Sequence, residues 1–187
     1  LDERLQTFGH VRAIDAENRR VTVVASTSNV ARDGAIIEAR GWDLSYYERN
    51  PVVLWAHNDR ELPIGRTVES QLTDSELIQT HEFADHPAAD QVFQAIRGGF
   101  VNATSVRWIP GETAIRTMPS GDRVLVFTNG HQLLETSYVP IPADPGALIV
   151  RADGSAFDRS AFFPAPVAPA PAGPTLAQRF LAGLTRA

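Results

Sequence analysis

Apolar residues in this chain fall into short runs broken by proline, glycine and Asx-rich turns, and only one stretch repeats them at helical spacing. Short runs with period-two alternation fit strands, whereas a helix needs a longer stretch with i, i+3, i+4 spacing. Extended segments are expected at Thr7 to Ile14 and Arg20 to Ala25, joined by the polar turn Asp15 to Asn18. Ser26 to Gly34 reads as loop, Ile36-Ile37 begins a short element, and Trp42 to Tyr47 fits a helical turn or a surface loop. Val52 to Ala56, opened by Pro51, is a buried-strand candidate that ends on His57. Leu62 to Val68 continues extended, and its Pro63 and Gly65 suit a sheet edge or a bulge better than a sheet centre.

Ser75 to Phe83 alternates as a strand with Leu77 and Phe83 inward. The helix follows, with Asp85 as its cap, Pro87 in its first turn and Gly98-Gly99 as its end. Its apolar stripe is expected at Ala88, Val92, Ala95 and Ile96, with Phe93 beside it. Strands return at Phe100 to Ile109, Arg123 to Phe127 and Gln132 to Val139, the last two joined as a hairpin through Thr128-Asn129-Gly130. About eight expected strands against one helix favour a mostly β fold, an antiparallel sheet or a small barrel.

Pro164 to Pro174 alternates proline with small residues and reads as an extended spacer; Leu176 to Leu184 beyond it fits a short helix. The folded domain is therefore expected at residues 1–155, with 156–187 a Pro/Ala-rich linker and tail. The segment after about Phe157 is expected to be open to removal by self-cleavage, because such a spacer leaves its backbone accessible. Leu1 to His10 lacks the basic start and apolar centre of a secretory signal, and no run approaches the roughly 18 apolar residues of a membrane helix.

Two absences narrow the chemistry. The chain has no cysteine, which excludes thiolate nucleophiles, thiolate metal sites and disulfides. All 17 basic side chains are arginine, so neither a serine–lysine dyad nor a Schiff base is available. A net charge of -5 with no concentrated basic surface argues against nucleic-acid binding. Any activated nucleophile must then rely on one of five histidines.

His57 stands out among them because it leaves a rigid apolar strand, where a side chain is held by the core and still faces a cleft. The residues alone equally admit a histidine that merely closes a turn. His10 in the first strand and His131 just past the expected hairpin turn occupy ordinary structural or surface positions, and His81 and His86 cross from a strand into a helix start without the spacing of a helical metal site. No cofactor or metal is expected. Among the serines none sits in a Gly-x-Ser-x-Gly elbow. Ser105, in the strand after the glycine-terminated helix, is the candidate nucleophile, with Arg107 on its face; a solvated strand serine is the alternative.

These segments resemble the prohead maturation proteases of tailed phages, a family that includes the proteases of gene-transfer agents. The resemblance is carried by Asn50 to Asn58 with Leu62 to Arg66, by Gly98 to Val106, and by Leu133 to Pro145, preceded by Asp33 to Ile37 and Gly41 to Leu44. It covers roughly residues 7–150, with the blocks in the family's order. It implies a closed or partly closed antiparallel β-barrel with peripheral helices, like that of the herpesvirus assembly proteases. It also implies a serine endopeptidase with His57 as general base and Ser105 as nucleophile. The expected substrates are the scaffolding segment of the major capsid protein and the protease itself, cut inside the assembling procapsid in the host cytoplasm, with a homo-oligomer as a further expected state. Arg107-Trp108 replaces the family's glycine-aromatic pair after the nucleophile, and Asp144 stands where asparagine is usual. A non-catalytic structural or scaffolding protein of the particle is the other reading.

Glu135 is the expected third member. Period two groups it with Leu133, Ser137 and Val139, and a carboxylate held near an apolar interior needs a partner that His57 can supply. The third block points the same way. A glutamate paired with a surface arginine remains open, and Asp59 is the rival orienter.

Overall fold

A computed structural model describes residues 14–149. The expected strand residues 7–13, and the linker and tail from 156 onward, lie outside them. In chain order the strands are β1 (Ile14–Asp15), β2 (Arg20–Thr27), β3 (Ile36–Ile37), β4 (Trp42–Asp43), β5 (Val52–Trp55), β6 (Gly65–Leu72) and β7 (Glu76–Phe83). After the helix α1 (Pro87–Arg97) come β8 (Ala103–Ile109), β9 (Glu112–Thr117), β10 (Arg123–Asn129) and β11 (His131–Val139). The fold is mostly β with a single α-helix among the described residues.

The larger sheet runs β1-β2-β7-β6-β5-β11-β4, and β8 also pairs with β11. Its strands are antiparallel except that β11 runs parallel to both β4 and β5. The sheet curls as a half-barrel. Strands β2 and β8 are linked through isolated bridges from Ile149 to Val23 and from Leu148 to Ala103, not through a continuous ladder. Thr104 Oγ1 adds a 3.0 Å bond to the Val24 carbonyl across the same gap. The mostly β fold expected from the sequence is thus present as a curled half-barrel sheet, with the parallel pairings of β11 departing from an all-antiparallel arrangement.

Alternation decides which side chains fill the interior. Along β7 every second residue is buried, from Leu77 through Gln79 and His81 to Phe83. Phe83 lies between Phe93 of α1 and Tyr138 of β11, with ring centroids 5.1 and 5.3 Å away. The polar members of this interior satisfy one another, as buried polar groups must. Thr136 Oγ1 donates to Gln79 Oε1 at 2.8 Å. His81 Nε2 donates to the same oxygen, so its Nδ1 accepts from the Tyr138 hydroxyl at 3.1 Å. Burial holds the His81 imidazole neutral, pushing its pKa down to about 3. On the outside, Arg20 and Arg66 from the neighbouring strands both bind Glu82 and lower its carboxyl below the usual range.

Several expectations are corrected. The Asn129-Gly130 step does not close a hairpin, because β10 pairs with β9 and β3 in a separate sheet while β11 belongs to the large one. With Gly130 at φ 68°, the chain turns a corner between sheets. The missed β9 is exposed along its whole length and so lacks an alternating apolar signal. Pro63 and Gly65 do not mark an edge: β6 lies between β5 and β7, and Gly65 admits the close approach of the Glu82 carbonyl. The helix cap is His86, whose Nδ1 accepts from Ala89 N–H, and not Asp85. The buried helix face is Ala89, Phe93 and Ile96, while Ala88, Val92 and Ala95 border a surface cleft with Trp55 and Leu62. Trp42 to Tyr47 is not a surface loop: Trp42 begins β4, and Tyr47 is buried with its hydroxyl 2.6 Å from Thr67 Oγ1.

Candidate active site

Strand β5 ends at Trp55, and the next two residues turn sharply. Ala56 and His57 both take positive φ, 51° and 59°. For residues with a β-carbon this left-handed conformation costs roughly 1–2 kcal/mol each, so neighbouring contacts must hold it. Ala56 N–H bonds to the Tyr138 carbonyl at 2.9 Å, and Asn58 N–H to the Trp55 carbonyl at 3.0 Å. The turn lifts the His57 side chain off the end of β5 and over β11. There its ring remains 32 % exposed, enough to meet a ligand.

Glu135 comes up beneath it on β11. A bulge between Leu133 and Glu135 inserts an extra residue there, so Leu133 pairs with Trp108 but Glu135 with Arg107. The effect is to separate the two faces. Leu133 joins Tyr138 in the apolar core, while Glu135 and Ser137 share the opposite face. The expected grouping of Leu133 with Glu135 on one face is overturned by this extra residue. Glu135 Oε1 lies 2.6 Å from His57 Nδ1, and its other oxygen accepts a 2.6 Å bond from Ser137 Oγ. A carboxylate only accepts, so Nδ1 carries the proton and Nε2 is the ring nitrogen left for other partners. The buried carboxylate is thereby satisfied on both oxygens.

Ser105 lies on β8 directly opposite Ser137, so the two side chains share a face about 5 Å apart at Cβ. It is 8 % exposed and borders a small recess with Ala35, Ile37, Trp108 and Asp144. Among the described residues no hydrogen bond joins the Ser105 hydroxyl to the His57 ring. Two steps along β8, Arg107 reaches over the turn. Its Nη2 donates to the His57 carbonyl and its Nη1 to Asp59 Oδ2, each at 2.8 Å. Asp59, the rival orienter, is thus engaged by Arg107, while Glu135 is the carboxylate on the imidazole. Ser137 received no role from the sequence; its spacing of two from Glu135 was the available signal.

The other histidines among the described residues do other work. His86 caps α1 and its Nε2 donates to the Pro63 carbonyl at 3.0 Å. His131 Nε2 donates to the Glu38 carbonyl at 2.8 Å, and burial lowers its pKa. Among the described residues no cluster of three or more His, Asp or Glu side chains is arranged to hold a metal ion, and no helix is long and apolar enough to cross a membrane.

No family model matches the chain, and no solved structure matches it. In an alignment of 153 residues that covers 74 % of the chain, it is 28 % identical to a protein of Pseudomonas phage PAJU2. The chain spans 21 % of that protein's length. What the chain is similar to, at this distance, is a part of a phage capsid polyprotein.

Proposed function

We propose that the chain is a serine endopeptidase that acts on phage capsid precursors, cutting scaffolding segments and itself during prohead maturation. The observation that carries the reading is the His57–Glu135 contact of 2.6 Å, made on the face that Ser105 shares. A buried carboxylate on Nδ1 fixes the tautomer and stabilises the imidazolium, which leaves Nε2 to act as base. In this reading Nε2 removes the Ser105 proton as Oγ attacks a peptide carbonyl, and the resulting imidazolium protonates the leaving amine. Water activated by the same nitrogen then hydrolyses the acyl-enzyme. Catalytic hydrogen bonds are often long in the unliganded enzyme and tighten with substrate, which accords with the open Ser105–His57 approach.

The relative's description as a polyprotein supports the substrate assignment, since a chain of that kind is divided into products and a peptidase region within it would serve that division. The same similarity also accommodates a non-catalytic module of the particle. Incubating the protein with its capsid precursor, beside the Ser105→Ala form, separates the two readings. Cleavage by the parent and none by the variant supports the peptidase; an intact precursor in both supports the structural module.

A further inference from the structure

The hydrogen bonds around His57 form a closed circuit that begins and ends on that residue. His57 N–H donates to Ser137 Oγ at 3.1 Å, and Ser137 Oγ–H donates to Glu135 Oε2 at 2.6 Å. The other oxygen of the same carboxylate receives His57 Nδ1–H at 2.6 Å. Ser137 is fully buried and uses its single proton and a lone pair in this circuit. The circuit ties the imidazole to its own backbone, so ring and main chain cannot rotate independently. On the other side of the same residue, the Arg107 fork joins the His57 carbonyl to the Asp59 carboxylate. Both peptide groups of a left-handed residue are therefore held by side chains from two other strands, β11 and β8.

We propose that Ser137 and Arg107 are positioning residues that clamp His57 in its left-handed turn and so keep Nδ1 on Glu135. This rests on the reading of His57 as general base. The clamp explains how a residue in a disfavoured conformation stays fixed beyond the end of its strand. It also gives Arg107 a task that requires a fork: lysine has one ammonium and cannot hold the His57 carbonyl and the Asp59 carboxylate in the same fixed geometry. Neither residue transfers a proton to substrate.

The test uses full-length protein labelled with 15N-histidine, in parent, Ser137→Ala, Arg107→Met and Arg107→Lys forms. The first readout is the far-downfield Nδ1–H resonance of His57, assigned by its loss in His57→Gln; it needs no substrate. The second is kcat and KM on the capsid precursor. The expected result is a sharp resonance in the parent that broadens or disappears in Ser137→Ala and Arg107→Met. With it kcat should fall about tenfold or more at nearly unchanged KM, and Arg107→Lys should recover only part of the loss. Retention of both resonance and kcat in Arg107→Met and Ser137→Ala overturns the clamp. Arg107 is 43 % exposed, so its variants report even where Ser137→Ala fails to fold. If the parent cleaves no precursor, the function proposed above fails, and the resonance alone still decides the clamp.

Discussion

Glu135 and His57 are 78 residues apart in the chain, yet Oε1 and Nδ1 lie 2.6 Å from each other. The parallel pairing β5–β11 sets Trp55 beside Tyr138, and the left-handed turn at Ala56 and His57 carries the imidazole back over Glu135. Replacing Glu135 with glutamine keeps the shape and removes the charge that favours an imidazolium. Turnover of capsid precursor should fall roughly ten- to a thousandfold. Asp59→Asn, which touches Arg107 and not the ring, should lose much less. Steady-state rates of the two variants side by side check this, and the reverse order of losses would move the orienting role to Asp59.

Ser105 should be the residue that takes a covalent label. A fluorophosphonate probe, which phosphonylates activated serines with loss of fluoride, should modify the parent once, and peptide mapping by mass spectrometry should place the adduct on Ser105. The His57→Gln form should label at least about a hundredfold more slowly, because the hydroxyl loses its base. Labelling at Ser137 instead would contradict the assignment.

The neutral, buried His81 makes stability depend on acid. In the unfolded chain an imidazole titrates near about 6.5, whereas burial holds this one to about 3 in the fold. Above the unfolded value both states are neutral and the group has no effect. As pH falls below it the unfolded state gains a proton that the fold refuses, and stability drops by about 1.4 kcal/mol per pH unit until the folded ring titrates. Urea midpoints of the parent should therefore fall more steeply between pH 7 and about pH 4 than those of His81→Gln. Parallel pH profiles for the two proteins would contradict this account.

Gly41 is a site where a single methyl group should be felt. A β-carbon there would collide with His131 Cε1 and with the Thr128 carbonyl oxygen. His131 cannot swing away cheaply, since its Nε2 is bonded to Glu38 O and its ring packs on Trp42 at 4.7 Å between centroids. Gly41→Ala should cost about 1–3 kcal/mol, read from the denaturant midpoint.

Local pattern made three elements legible: the strand before His57 as an unbroken apolar run, β7 by its alternation and the helix by its spacing and its ends. It failed where a single residue changes the count. The extra residue in β11 puts Leu133 on the core face and the buried Glu135 on the opposite one, and nothing in Leu133-Leu134-Glu135 announces which residue is the extra one. Asn129-Gly130 supplies the right dihedral angles for a sharp turn, but the partner of each flanking strand is set by distant residues. Within the site, His57, Ser105 and Glu135 were named from their places in the chain and from a family resemblance. Ser137 and the Arg107 fork were not, since both act on a main-chain group whose left-handed geometry has no sequence signature in Ala56-His57.

Strands β2 and β8 are joined through Ala147, Leu148 and Ile149, and Thr104 N–H, next to Ser105, bonds to the Ala147 carbonyl at 3.0 Å. These are the last described residues, and they brace the strand that carries the candidate nucleophile. Synthesis runs from the amino terminus, and a sheet built from such distant pairings forms only after its last partner is available. A nascent chain therefore exposes β8 without its brace until residues 147–149 have been made and docked. A chain cut before Ala147 would hold every proposed catalytic side chain and lack the bonds that tie Thr104 to Ala147 and Val24 to Leu148.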